Sequence, residues 1–167
     1  MILGMSLSTF TMVHVIISLI AIVSGIIVMF GLLGSRRMPG LTAIFLLFTI
    51  LTSATGFLFP FEKLLPSHMI GILSLVLLAI ACFALYGTKL SGAWRWVYVV
   101  TAMISLYLNV FVLIIQSFLK VPALHALAPS VPPSEPPFAI IQGIVLVFFV
   151  IVIIGAVRRF RPMPAYA

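Results

Sequence analysis

Long apolar runs separated by short polar breaks dominate the hydrophobic pattern of this chain. Five of the runs reach the roughly 20 residues that a helix needs to cross about 30 Å of hydrocarbon. They cover about residues 9–33, 41–61, 68–89, 93–119 and 137–157. The breaks contain Gly and Pro, as helix ends do. The pattern predicts an all-α integral membrane protein: one transmembrane domain over residues 1–167, built as a bundle of five transmembrane helices.

Composition supports this class and excludes others. The chain has 167 residues, of which 64% are hydrophobic and only 7% are charged, whereas about a quarter of a soluble domain is charged. The formal net charge is +7. The basic residues lie in short segments between apolar runs rather than on one folded surface, so we interpret them as topology signals and expect no nucleic-acid partner.

The distribution of Lys and Arg predicts which way the bundle faces. Seven of the nine basic residues flank the first loop, the third loop and the last run: Arg36, Arg37, Lys89, Arg95, Arg158, Arg159 and Arg161. Positive charge stays on the cytoplasmic side, so the N-terminus is predicted outside and the C-terminus inside. On this orientation Trp94, Trp96 and Tyr98 belong to the inner interface.

The same basic side chains predict a lipid partner. Anionic headgroups attract Lys and Arg at the cytoplasmic surface. We therefore expect contacts with anionic lipid, made by Arg36, Arg37, Arg158, Arg159 and Arg161.

The only long hydrophilic stretch, residues 120–136, is then an outer, proline-rich loop. Residues 120–128 predict a short interfacial helix with Pro122 in its first turn. The following "PSVPPSEPP" predicts an extended polyproline strap across the outer mouth of the bundle.

Small and hydroxyl side chains recur at helical spacing along several spans. One stripe runs Ser8, Thr11, His14, Ser18, Ala21, Gly25, and another Tyr98, Thr101, Ser105, Asn109, Val112, Gln116. Helix packing alone explains the small and hydroxyl-bearing positions of these stripes, and no binding or catalytic role is needed for them.

The larger polar groups are distributed unevenly. At 1.5 Å per residue, His14 and Gln142 lie about 8 Å, and Asn109 about 15 Å, below the outer ends of their spans. Gln116, His68, Glu62, His125 and Glu135 lie near or above that outer surface, so every histidine and carboxylate of the chain is expected on the outward side.

His14 is the candidate anchor of a binding site, because an ionisable residue inside a span is costly and by default functional. Asn109, Gln116, Gln142 and His68 are the other candidate ligand-binding residues. Together they predict a few polar contacts that would orient a small apolar molecule such as a quinone or another lipid. A histidine bonded to a hydroxyl of a neighbouring helix is the structural alternative for His14.

Cofactor chemistry stays open at this point. His14 and His68, on different spans, are the available pair for a b-type haem. The candidate metal ligands are His14, His68, His125 and Glu62, a set that suits zinc, iron or copper, and Met12 and Met69 beside two of the histidines would favour copper(I).

The run "HVIISLIAIVSGIIVMFGLLGSRRMPG", with "TGFLFPFEKLLPSH", "WRWVYV" and "LYLNVFVLIIQ", resembles small multi-span inner-membrane proteins of bacteria from uncharacterised families. The resemblance implies a multi-pass protein of the bacterial inner membrane and no particular activity. A remoter similarity is to small b-type membrane cytochromes, through a histidine in the first span and another at the start of the third.

These observations favour a non-enzymatic membrane protein that binds a small ligand or cofactor in an outward-facing polar cavity. The first alternative is an accessory subunit of a larger membrane complex, or a homo-oligomer, with no ligand of its own. The second is a small haem or copper protein. Transport is disfavoured because no Asp, Glu, Lys or Arg lies deep in a span.

Overall fold

The computed structural model describes residues 1–64 and 66–162, and all its regular structure is helical. The helices are α1 Leu7–Leu33, α2 Pro39–Gly56, α3 Pro66–Cys82 with a π-helical continuation Phe83–Gly87, α4 Trp94–Lys120, α5 Pro122–Leu127 and α6 Pro136–Arg159. Within the described residues, five helices are long and apolar enough to cross a membrane, α3 being counted together with its π-helical turn. The five spans predicted from the apolar runs are therefore confirmed as helices of this kind.

Proline positions explain several helix boundaries. Pro39, Pro122 and Pro136 occupy the first turn of α2, α5 and α6, where a missing N–H costs nothing because it would have no intrahelical partner. The second apolar run continues past Gly56, but α2 ends there. Pro60 limits how far the helix could extend, because it disfavours helical backbone in the residue before it.

Helix α4 is the centre of the bundle. It packs against each of the other helices, whereas α1 packs chiefly on α2, and α6 packs on α4 and α1. The buried core lines α4 from Tyr98 to Leu106. Large apolar side chains cover the outward faces of α1, α3 and α6 and stay exposed, as expected of surfaces that meet lipid.

Gly25 of α1 lies against side chains of both α2 and α4. A β-carbon placed there would lie 2.7 Å from Leu106 Cδ1 and 2.8 Å from the Phe45 ring. Small residues at such crossings let the backbones of membrane helices come together. Gly25 was predicted to belong to the packing stripe of the first span, and it is buried in the helix-packed interior.

One end of the bundle collects the basic segments, and we call it the arginine end: residues 34–38, residues 88–95 and the C-terminus of α6. Arg95 Nη1 donates to the carbonyl of Val157 at 2.9 Å and also to that of Phe160. The backbone N–H of Arg161 donates to Ser35 Oγ at 2.9 Å. These bonds fasten the end of α6 to the other two segments.

Tyr98 faces the interior of the bundle at this end. Its side chain is only 2% exposed and packs near Phe160. Its position one turn into α4, on the face that meets α1 and α2, buries the ring. Trp96 by contrast is exposed.

The opposite end, which we call the histidine end, carries residues 57–64, α5 and the loop 128–135. The short helix expected here is present as α5. The extended strap is wrong for residues 130–135, because Glu135 folds back on the loop. Its carboxylate accepts from the backbone N–H and hydroxyl of Ser130 and from the backbone N–H of Ser134. These bonds, the Ser130 hydroxyl foremost, lower the pKa of Glu135 to about 2.

Candidate functional site

His14 of α1 is held by a hydrogen bond to the neighbouring helix. Its Nδ1 lies 2.7 Å from Thr55 Oγ1, and the Thr55 hydroxyl donates to the carbonyl of Leu51 at 2.7 Å. A hydroxyl has a single proton, so Nδ1 must be the donor to Thr55. The neutral ring is then the Nδ1–H tautomer, and Nε2 keeps a lone pair that can accept a hydrogen bond or bind a metal.

A phenylalanine-rich segment between α2 and α3 contacts both His14 and His68. The Phe59 ring centroid is 5.2 Å from that of His14, in an edge-on arrangement. Phe57 and Phe61 lie 5.5 Å and 4.2 Å from His68. His68 is only 6% exposed. The two imidazoles therefore belong to one aromatic end of the bundle, which also includes Phe10 against Phe59.

A bis-histidine haem needs two axial imidazoles that face each other across the porphyrin. In the structure His14 contacts Phe59 and His68 contacts Phe61, two rings of the same segment. A haem held by this pair stays a prediction.

The four candidate metal ligands do not form a single cluster among the described residues. In the part of the chain that the structure describes, no three His, Cys, Asp or Glu side chains come close enough to hold a metal ion. His125 Nδ1 instead donates to the carbonyl of Phe118 at 3.2 Å, and Glu62 is exposed.

The amide candidates lie on two sides of α4. Asn109 Nδ2 is 3.4 Å from Thr49 Oγ1 of α2, whereas Gln142 Nε2 donates to the carbonyl of Phe111 at 3.1 Å. Residues 109 and 111 are about 200° apart around a helix. Gln116 is exposed. The structure thus groups His14 with Thr55 and Phe59, and it places the bonds of Asn109 and Gln142 on different sides of α4.

Most hydroxyls of the spans bond to their own helix. Ser18, Ser24, Thr52 and Ser105 all donate to the carbonyl four residues earlier, a local bond that such side chains commonly form. Ser53 is different, because its hydroxyl donates to Ser74 of α3 at 3.2 Å. These stripes therefore serve packing and local hydrogen bonding.

Gln142 Oε1 is buried and has no hydrogen-bond partner. An unsatisfied buried acceptor costs about 1–3 kcal/mol, against about 0.5–1.5 kcal/mol gained by the bond from Nε2. We therefore expect Gln142→Leu to leave the free energy of unfolding unchanged or to raise it by about 1 kcal/mol, measured by SDS titration of the purified protein. Gln116→Leu, at an exposed position, is the matched control and should change it by less than about 0.5 kcal/mol.

A clear loss of stability in Gln142→Leu alone would contradict this expectation. It would mean that Oε1 has a favourable partner in the membrane, such as a ligand or another chain.

The sequence pattern did not predict a role for Thr55 or Phe59. Nothing in a single sequence distinguishes the Thr55 hydroxyl from Thr52 or Ser53 nearby. The alternation of phenylalanine at 57, 59 and 61 is the signal that could have pointed to the aromatic end.

Fold and site together define a helical protein that has, over residues 1–64 and 66–162, five helices able to span a membrane, with the imidazoles at one end and the arginines at the other. The chain matches no protein-family model, and no curated protein or solved structure is significantly similar to it.

Proposed function

We propose that this chain is a non-enzymatic, multi-pass membrane protein that binds a small ligand at its histidine end, with His14 as the anchor. The observation that carries the proposal is the hydrogen bond between His14 Nδ1 and Thr55, because it leaves the Nε2 lone pair for a ligand. His14 is half-buried, so the imidazole is within reach of a molecule dissolved in the bilayer.

The chemistry of the site favours a ring-bearing lipid that carries a hydroxyl, such as a quinol. Nε2 is an acceptor and therefore pairs with an O–H donor. The phenylalanines beside it, Phe10 and Phe59, offer apolar faces for a ring, and aromatic pairs of this kind gain about 0.5–1.5 kcal/mol beyond their buried area.

Orientation is part of the proposal. The arginine end carries seven of the nine basic residues, and positive charge is retained on the cytoplasmic side. The histidine end then opens to the outer leaflet of a bacterial inner membrane, from which the ligand would enter.

The test is to purify the protein in mild detergent and to analyse organic extracts by mass spectrometry, together with the visible spectrum and the metal content. We expect His14→Ala to lower the bound ligand by about tenfold, the loss of roughly one buried hydrogen bond and its contacts. His125→Ala should retain it, because that imidazole bonds to the Phe118 carbonyl. Thr55→Val should lower the bound ligand by less than His14→Ala does. It removes the hydrogen bond that fixes the tautomer of His14 but keeps the imidazole ring.

Three outcomes would contradict the proposal. Equal ligand loss in both histidine variants would remove any special role of His14. A Soret band or stoichiometric metal would favour the haem or copper alternative. A colourless protein without extractable ligand that co-purifies with other membrane chains would favour the accessory-subunit alternative.

A further inference from the structure

A cavity of about 180 Å³ lies at the arginine end, between the α1–α2 loop, the end of α3 and the start of α4. Arg36 and Arg37 line it, together with the hydroxyl-bearing side chains of Thr42, Tyr86 and Tyr98. Apolar residues such as Leu32 complete the walls. The lining thus combines two cationic side chains and three hydroxyls with apolar walls.

Among the residues that the structure describes, no carboxylate side chain lies beside the two arginines at this end. The sequence has two acidic side chains, Glu62 and Glu135, and both lie in loops of the histidine end. The guanidinium groups of Arg36 and Arg37, which follow one another in the sequence, can take an external anion. Phosphate suits them, because a guanidinium donates two parallel hydrogen bonds to its oxygens.

The hydroxyls add a neutral contact deeper in the cavity. Thr42 and Tyr98 are 6% and 2% exposed, and both line the cavity. Each hydroxyl carries one proton that it can donate to an oxygen of a bound molecule.

Size restricts the ligand. Sites for drug-sized molecules occupy about 300–1,000 Å³, and this cavity, at about 180 Å³, holds only a headgroup. A nucleotide or a haem is too large for it.

We propose that this cavity binds the phosphate headgroup of an anionic phospholipid. Arg36 and Arg37 hold the phosphate, and the Thr42–Tyr98 pair contacts the glycerol. The acyl chains stay in the bilayer. This is a defined site for one lipid molecule, which differs from the general attraction of basic residues to an anionic membrane surface. The proposal does not depend on a ligand at His14.

The experiment measures binding of phosphatidylglycerol to the purified protein by native mass spectrometry, with zwitterionic phosphatidylcholine, whose phosphate is balanced by its own ammonium group, as the net-neutral comparison. The variants are the double substitution Arg36→Gln with Arg37→Gln, and the matched double substitution Arg158→Gln with Arg159→Gln. Both change the net charge equally and all four arginines are exposed, but only Arg36 and Arg37 line the cavity. Thermal unfolding without added lipid checks that both variants fold.

We expect phosphatidylglycerol to bind at least about tenfold more tightly than phosphatidylcholine, as charge-assisted hydrogen bonds require. The Arg36/Arg37 variant should lose about tenfold in affinity, and the Arg158/Arg159 variant less than about twofold. Equal losses in the two variants, or equal binding of the two lipids, would overturn the proposal.

Glycerol 1-phosphate distinguishes the two sources of the phosphate. If it competes with phosphatidylglycerol only at far higher concentration, the lipid is the occupant. If it binds as tightly as the lipid, the site takes a soluble phosphate and the assignment to a phospholipid is wrong. Conservative Arg36→Lys with Arg37→Lys keeps the charge and should retain part of the affinity.

Discussion

Gly25→Val should cost the protein at least about 3 kcal/mol of unfolding free energy, the upper range for overpacking a core. A β-carbon alone would already lie 2.7 Å from Leu106 Cδ1 and 2.8 Å from the Phe45 ring. Both neighbours are fully buried, so neither side chain has free space to move into. α1, α2 and α4 would have to separate, and every contact along their shared crossing would weaken.

Gly143→Val is the matched control, because Gly143 also lies within a spanning helix and a β-carbon there would meet nothing within 4 Å. Its stability should stay within about 0.5 kcal/mol of the parent protein. Unfolding is measured by SDS titration, with the fluorescence of Trp94 and Trp96 as the signal. Gly25→Ala should lose about 1–3 kcal/mol. Parent-like stability of Gly25→Val would show that the three helices do not cross at this residue.

The sequence predicted the helices well because membrane thickness imposes their length. An apolar run of about 20 residues has few other uses, and Pro39 and Pro136 mark helix starts by simple sterics. The end of a helix is harder to predict from the sequence when the apolar run continues beyond it. The run that contains α2 includes Phe57 and Phe59, yet these side chains belong to a loop that packs on the imidazoles.

Which helices pack together was not predictable from the stripes. Small and hydroxyl residues allow close approach but do not specify a partner, so the central position of α4 appears only in the structure. The same applies to the candidate site. Asn109 and Gln142 looked equivalent by depth, but α4 separates them, since Asn109 faces Thr49 while Gln142 meets the carbonyl of Phe111.

His14 illustrates how far residue type alone can go. Its cost within a span predicted a special role, and the structure places it half-buried on a hydroxyl, as the packing alternative also required. The sequence does not show which tautomer His14 adopts. The tautomer follows from the second bond of Thr55, to Leu51, and it determines which ring nitrogen a ligand can meet.

Ser134→Cys should react with a membrane-impermeant maleimide on intact cells, whereas Ser91→Cys should not react until the membrane is opened. Cys82 is replaced by alanine in both variants, so that each has one cysteine. Ser134 and Ser91 are exposed loop residues of the histidine end and the arginine end respectively. The expected difference is nearly all-or-none, because basic segments are retained on the cytoplasmic side and seven of the nine basic residues flank the arginine end.

Equal labelling in opened membranes is the control that both cysteines are reactive. The reversed pattern on intact cells would place the arginine end outside. It would change the leaflet from which each site is reached, but not the contacts within the protein. The bond between His14 and Thr55 and the cavity beside Arg36 would remain as they are. The ligand of His14 would then have to come from the cytoplasmic leaflet, and the phosphate bound by the arginines from the outer one, so access to both sites rests on this single measurement.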